Sequence, residues 1–220
     1  MSSAVKAYKG VGMEGSIAKW YTKNTGKSMN DFKSEARRVA ALLAPGAKVL
    51  EVAPGPGYFA IELAKMGGYQ IAGLDLSKTF VEIAQRNAAR AGARIEFRLG
   101  SASDMPFESS QFDFLFCRAA FKNFSEPVRA LQEMHRVLKT GASALIVDLR
   151  HDASLESINE EVARMGLGFF SASFTRLASR FMLLRRAYTK GDFERFLAQT
   201  LFRSVRIDAS GIGMDIWLHK

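Results

Sequence analysis

Residues 48–61 read KVLEVAPGPGYFAI, and their types and spacing suit the binding of a nucleoside. Val49, Leu50 and Val52 supply a short buried strand, with Glu51 near its end. Gly55 and Gly57 permit a sharp turn and a close backbone approach, because neither carries a Cβ. The helix expected next would turn unpaired N–H groups and the positive end of its dipole toward that turn. A second strand, 70–74, ends in Asp75, a carboxylate placed to accept both hydroxyls of a ribose. Gly55-Pro56-Gly57-Tyr58-Phe59-Ala60 also fits the dinucleotide pattern of spaced glycines. Glu51 argues against a pyrophosphate, which it would repel, and suits a cationic amino-acid group.

Four motifs follow in order: VLEVAPGPG, GLDLS, GSASDMPF after a third strand at 95–99, and FDFLFCRAAFKNF, with VLKTGASALIVD beyond them. This order resembles the class I S-adenosylmethionine-dependent methyltransferases of small-molecule type over roughly residues 30–218. The resemblance implies S-adenosylmethionine as the cofactor. It implies that Glu51 binds the methionine amino group through its turn and that Ala53, Gly55 and Gly57 line the methionine and ribose. Asp75 would take the ribose hydroxyls, with Leu76, Ser101 and Ala102 along the adenine and Cys117 at the end of the fourth strand. Ala53 stands where the family has its first glycine, and Ser101 where it has an adenine-binding acid; a serine hydroxyl can still accept a hydrogen bond there.

These residues need a scaffold, and the chain supplies an alternating one. Strand-like stretches at 48–52, 70–74, 94–99, 112–117 and 142–148 are separated by helical ones, which predicts an α/β fold. Ser77 is placed to cap a helix through Ala91, Pro127 to open another, and Thr189 with Asp192 to form a capping box. Arg203–Asp208 and Met214–Leu218 read as a final hairpin. The expectation is a Rossmann-like, seven-stranded, mostly parallel sheet with helices on both faces and a C-terminal antiparallel hairpin. The 220 residues then form a single domain: a helical lid at 1–44, a cofactor-binding core at 45–150, a substrate-cover insertion at 151–187, and the last helix with the hairpin at 188–220. In the lid, Asn30 or Ser28 is a candidate cap for the second helix, and Trp20 or Tyr21 a candidate closing aromatic. Tyr21 is preferred for the cofactor because a hydroxyl can reach a carboxylate.

The acceptor side is less sharply written. Arg118, Phe121, Lys122 and Trp20 are candidate acceptor contacts, and Lys122 and His151 candidate catalytic groups at the ends of the fourth and fifth strands. Either could also be a solvated surface side chain. The insertion interleaves Phe169, Phe170, Phe174 and Phe181 with Arg164, Arg176, Arg180, Arg185 and Arg186. It reads as helix packing, as a greasy cationic cover, or as a face for peripheral membrane contact. A net charge of +9 is spread along the chain without a Lys/Arg run, so nucleic acid is not the expected partner. The single cysteine excludes an internal disulfide and fits a reducing cytoplasm. No apolar signal core or membrane-length stretch is present, and Asp148 with Asp152 is too small an acidic set to predict a metal. Asn/Asp-Pro-Pro-Tyr is absent after the fourth strand, and Cys117 follows Phe116 instead of a proline, which argues against amino-base and cytosine chemistry. The reading is methyl transfer to a small, partly apolar, anionic or neutral acceptor, at oxygen. An RNA methyltransferase and a catalytically silent cofactor-binding regulator are the alternatives. A monomer and a homodimer are both compatible with the sequence.

Overall fold

The computed structural model describes residues 8–9, 12–26, 29–164 and 184–220. Two helices, α1 (Gly15–Thr25) and α2 (Met29–Ala40), precede the sheet. Then β1 (Lys48–Val52), α3 (Tyr58–Ala64), β2 (Gln70–Asp75), α4 (Lys78–Arg90), β3 (Ile95–Leu99) and β4 (Phe112–Arg118) follow in alternation. A short 3-10 turn, Phe121–Asn123, leads to α5 (Pro127–Val137) and β5 (Leu138–Leu149). The chain closes with α6 (Leu155–Arg164), α7 (Lys190–Leu197), β6 (Ser204–Ser210) and β7 (Gly213–His219).

The seven strands order β3-β2-β1-β4-β5-β7-β6, parallel from β3 to β5 and antiparallel through β7 and β6. Alternation along each strand divides the core between the two faces. Val49, Ile71, Phe114 and Phe116 pack on one side against α2, α3 and α4, where Phe59 stacks on Phe116 at 4.0 Å between ring centroids. Leu50, Val52, Leu115 and Ile146 pack on the other side against Leu131 and Met134 of α5 and Phe193 and Leu197 of α7. This is the Rossmann-like class expected.

Local chemistry sets the helix ends. Ser77 Oγ accepts from Phe80 N–H at 3.1 Å and starts α4. Thr189 and Asp192 form the reciprocal capping box of α7. Pro127 occupies the first turn of α5, where its missing N–H is not needed. Two boundaries differ from the sequence reading. α2 begins at Met29, so Asn30 sits inside its first turn and not at its cap, and Ser28 lies outside the described residues. β5 begins at Leu138, not at 142, because Leu138 already pairs with Phe112 and Gly141, at φ +79°, absorbs the register irregularity that follows. Of the insertion, residues 165–183 lie outside the described residues, and with them most of the greasy cationic cover; Leu184–Arg186 form a short 3-10 turn. Among the described residues no helix is long and apolar enough to cross a membrane.

Candidate functional site

From β1 the chain builds β2 and β3 on one side and β4 and β5 on the other, so the carboxyl ends of β1 and β4 diverge into a crevice. Open α/β sheets bind ligands at such a switch point. Both strands leave the sheet through a left-handed alanine, Ala53 at φ 57° and Ala119 at φ 56°. Each is pinned by its own N–H, Ala53 to Leu74 O and Ala119 to Val147 O, both at 2.7 Å. A β-carbon in this region costs roughly 1–2 kcal/mol, so these turns are held by their surroundings. The small side chains leave the crevice open.

A cavity of about 310 Å³ fills the crevice, bounded by Tyr8, Met13, Tyr21, Gly55, Phe80 and Arg118 among others. A second, of about 50 Å³, adjoins it along Leu74, Gly100, Ser101, Ala102 and Phe124. Tyr8, Ala53, Asp75, Leu76 and Ala120 belong to both. Asp75 is the buried charge at the junction. Its Oδ2 accepts from Gly55 N–H at 3.0 Å and its Oδ1 from Ser77 N–H at 2.9 Å. Each oxygen keeps a lone pair for a ligand hydroxyl. Burial pushes this carboxyl up to about 6, against the pull of the Ser77 and Gly55 N–H groups.

The N-terminal segment roofs the cavity. Glu14 caps α4, its carboxylate accepting from Lys78 N–H at 2.9 Å and Thr79 N–H at 3.1 Å and from the Thr79 hydroxyl. Met13 O accepts from Ser77 Oγ at 2.6 Å. At the other end Tyr8 bridges to Phe124, and Lys9 N–H donates to Asn123 O at 2.7 Å. Burial raises the Tyr8 phenol, which stays protonated as a hydrogen-bond donor.

Among the predicted cofactor residues, Tyr21, Ala53, Gly55, Asp75, Leu76, Ser101 and Ala102 line the two cavities, as does Arg118 from the acceptor set. Others do not. Glu51 is 4% exposed, and its Oε2 accepts from Ala60 N–H at 3.1 Å; it fastens the start of α3 and makes no wall of the cavity. Gly57, at φ +77°, points its missing side chain at Phe97 and Ala84, only 3.0 and 3.1 Å from an added Cβ. It is therefore needed for packing behind the turn, whereas Gly55 has nothing nearer than Tyr21 at 3.9 Å. Cys117 is fully buried in the core beneath the crevice, and burial raises its thiol well above the usual range.

The acceptor set needs more correction. Lys122 Nζ pairs with Asp148 Oδ1 at 2.9 Å and donates to Ala119 O at 2.5 Å, with both side chains buried. Asp148 Oδ2 also accepts Lys122 N–H at 2.8 Å. Lys122 thus clamps the β4 turn to β5 from behind and does not face the cavity. His151 is exposed, bonded through Nδ1 to Leu184 O at 2.8 Å, and outside the cavity lining. Phe121 is buried among Phe124, Phe193 and Tyr188. Trp20 is 67% exposed and takes no part in the cavity wall. The sequence reading missed Tyr8, Met13, Glu14, Ser77 and Phe80 as cavity residues. Phe80, in the first turn of a helix that opens beside Asp75, was the one with a local signal.

The residues present fit the adenosyl cofactor that the fold implies. A buried carboxylate held by two N–H groups suits a diol, Ser101 and Ala102 offer a slot beside it, and the combined space is of ligand size. Comparison with known proteins agrees. Residues 50–146 match the family model described as a methyltransferase domain. The chain is 36% identical over 101 residues to a demethylmenaquinone methyltransferase of Chlorobaculum parvum, covering 46% of this chain and 40% of that protein. It is 34% identical over 122 residues to an O-methyltransferase of Aspergillus sclerotiorum, covering 53% of this chain and 46% of that protein. The match therefore spans under half the length of these relatives. A solved structure from Methanococcus maripaludis, assigned as an S-adenosylmethionine-dependent methyltransferase, superposes with a TM-score of 0.76 at 22% identity, covering 100% of this chain and 97% of that one. The fold is that of class I S-adenosylmethionine-dependent methyltransferases. Residues 50–146 carry the match to the methyltransferase-domain model, and S-adenosylmethionine is the cofactor that this match and the fold imply.

Proposed function

We propose that this protein transfers a methyl group from S-adenosylmethionine to a hydroxyl of a small, largely apolar acceptor of the hydroquinone or phenol kind. The observation that carries the reading is Asp75, buried at the carboxyl end of β2 and shared by both cavities. In this reading Asp75 holds the ribose, Leu76, Ser101 and Ala102 the adenine, and Ala53, Gly55, Tyr21 and Arg118 the methionine end. The names of the relatives support the reading in two parts: a demethylmenaquinone methyltransferase favours a quinoid acceptor or its reduced form, and an O-methyltransferase favours oxygen as the methylated atom.

The cofactor when bound supplies a methyl group on a cationic sulfur, open to in-line displacement. The chain's part is orientation and exclusion of water, which carry much of the rate of such a transfer. Ala119 and Ala120 keep the reacting space clear of bulk, Phe80 and Met13 dry it, and the Tyr8 phenol offers a donor to the acceptor oxygen, which would react as the phenolate after its proton has passed to solvent. Lys122 and Asp148 serve by fixing the Ala119 turn.

Incubation with methyl-labelled S-adenosylmethionine and a panel of naphthohydroquinones, catechols and phenols tests the reading by mass spectrometry. A labelled methyl ether supports it. Label on a ring carbon would correct the position, label on bulk RNA would favour the nucleic-acid alternative, and cofactor binding with no transfer would favour the silent regulator.

A further inference from the structure

Among the described residues β6 is an open edge of the sheet, and six of its seven residues are exposed, Ile207 being partly covered. An edge this bare presents unpaired backbone groups to any strand that fits. The ladder tells which groups are free. Lys220 N–H donates to Ala142 O at 3.0 Å, so even-numbered positions at the end of β7 are bonded toward β5 and odd-numbered ones toward β6. The register pairs Ser204 with His219, Arg206 with Trp217, Asp208 with Asp215 and Ser210 with Gly213. The backbone groups of Val205, Ile207 and Ala209 are therefore directed to the open edge.

We propose that β6 is a homodimer interface, pairing antiparallel with β6 of a second copy about a two-fold axis at Ile207. Charge selects both the occupant and the register. With the axis at Ile207, Arg206 lies opposite the second copy's Asp208 and Asp208 opposite the second copy's Arg206, in the closer, non-hydrogen-bonded positions of the ladder. Sliding by two residues sets Arg206 against Arg206 or Asp208 against Asp208, which is unfavourable. The strand is thus complementary to itself in one register.

The side chains agree with that pairing. Arg206 Nε lies 3.0 Å from Asp208 Oδ2 within the strand, both more than half exposed and on one face, so the ion pair is open to exchange between copies. The Arg206 guanidinium sits 5.6 Å from the centroid of Trp217, which holds it over the sheet. On the opposite face Val205 and Ile207 form, with Leu197 of α7 and Ala198 just past its end, the apolar floor of an open groove that Lys190 and Glu194 border. A two-fold axis perpendicular to the sheet keeps faces together, so this groove would be continued by the second copy's Ile207 and Ala209. Val205 is 41% exposed and Leu201, just upstream, 79%. The interface is isologous and closes at two copies.

Sedimentation velocity on the full chain at low ionic strength, from low to high micromolar concentration, tests the proposal. The wild type should dimerise. R206D places aspartates opposite each other twice and should weaken the dimer by about tenfold or more. The swap R206D/D208R restores opposite charges across the axis and should restore the dimer. Circular dichroism and S-adenosylhomocysteine binding should be unchanged in both variants, because neither residue touches the cavity; these readouts keep the proposal separate from the functional reading. A wild type that stays monomeric, an R206D variant that dimerises like the wild type, or a swap that fails to restore pairing would overturn it.

Discussion

Replacing Glu51 by Gln should stabilise the ligand-free protein, and do so more at alkaline than at acid pH. The side chain is 4% exposed and accepts a hydrogen bond from Ala60 N–H, and among the described residues no cation forms an ion pair with it. Burial, aided by the charge of Asp75, pushes its carboxyl from the ordinary 4.5 up to about 8, against the Ala60 N–H and Arg118. Below pH 4.5 the group is protonated in both folded and unfolded chains and costs nothing. Between there and pH 8 the folded state binds the proton more tightly, so stability falls as pH rises, by about 1.4 kcal/mol for each pH unit. The loss is complete above the folded value, with a ceiling of roughly 5 kcal/mol. The glutamine amide keeps an oxygen for Ala60 N–H and never ionises. Urea unfolding at pH 5, 7 and 8.5 should show the variant close to wild type at the lowest pH and progressively more stable above it. A difference that does not change with pH, or a variant less stable at pH 8.5, would refute the argument that this carboxyl is buried without a counter-charge.

Other perturbations separate structural from ligand-facing groups. Lys122→Met should destabilise the fold by about 3–5 kcal/mol in urea unfolding, because Asp148 is left buried and unpaired; Lys122→Met with Asp148→Leu should recover most of that loss. Gly57→Ala should cost about 1–3 kcal/mol of stability from φ strain and the contact with Phe97. Gly55→Ala should cost less stability yet weaken S-adenosylhomocysteine binding in calorimetry, since Gly55 lines the cavity and has room behind it. Glu14 is held below the usual carboxylate range, first by the Thr79 hydroxyl, so its cap on α4 is complete above that range and is lost as pH falls on through the lowered folded value. Glu14→Ala should loosen the roof and speed S-adenosylhomocysteine release about fivefold, for a cap worth ~1 kcal/mol, in a stopped-flow displacement experiment.

The frame of the fold was legible because its signals are local. Strand periodicity, the caps at Ser77 and Thr189, and Pro127 each depend on residues close in sequence, and the caps and Pro127 appear where expected, as do the strands apart from the early start of β5. The places of Asp75 and Gly55 in the cavity wall were legible for the same reason: a glycine turn and a strand-end acid are sequence features. Lys122 and His151 were misread because strand-end position does not give side-chain direction. Lys122 turns back to Asp148, a partner 26 residues away, and His151 turns to Leu184 O, 33 residues away. The roof was invisible for the same cause. Glu14 reads as an ordinary surface acid until α4 is brought against it across 64 residues of chain. The glycines show the limit from another side: Gly55 and Gly57 look equivalent in sequence, but only the packing of Phe97 and Ala84 distinguishes them.

The most direct test of the central claim is calorimetric titration of S-adenosylhomocysteine into the wild-type protein and Asp75→Ala. One molecule should bind per chain, and the variant, with its fold intact by circular dichroism, should bind about tenfold or more weakly, the scale of lost hydrogen bonds to a charged group. Wild-type affinity should also decline as pH is lowered through about 6, where the Asp75 carboxylate takes up a proton. No binding by the wild type, or undiminished binding by Asp75→Ala, would contradict the account.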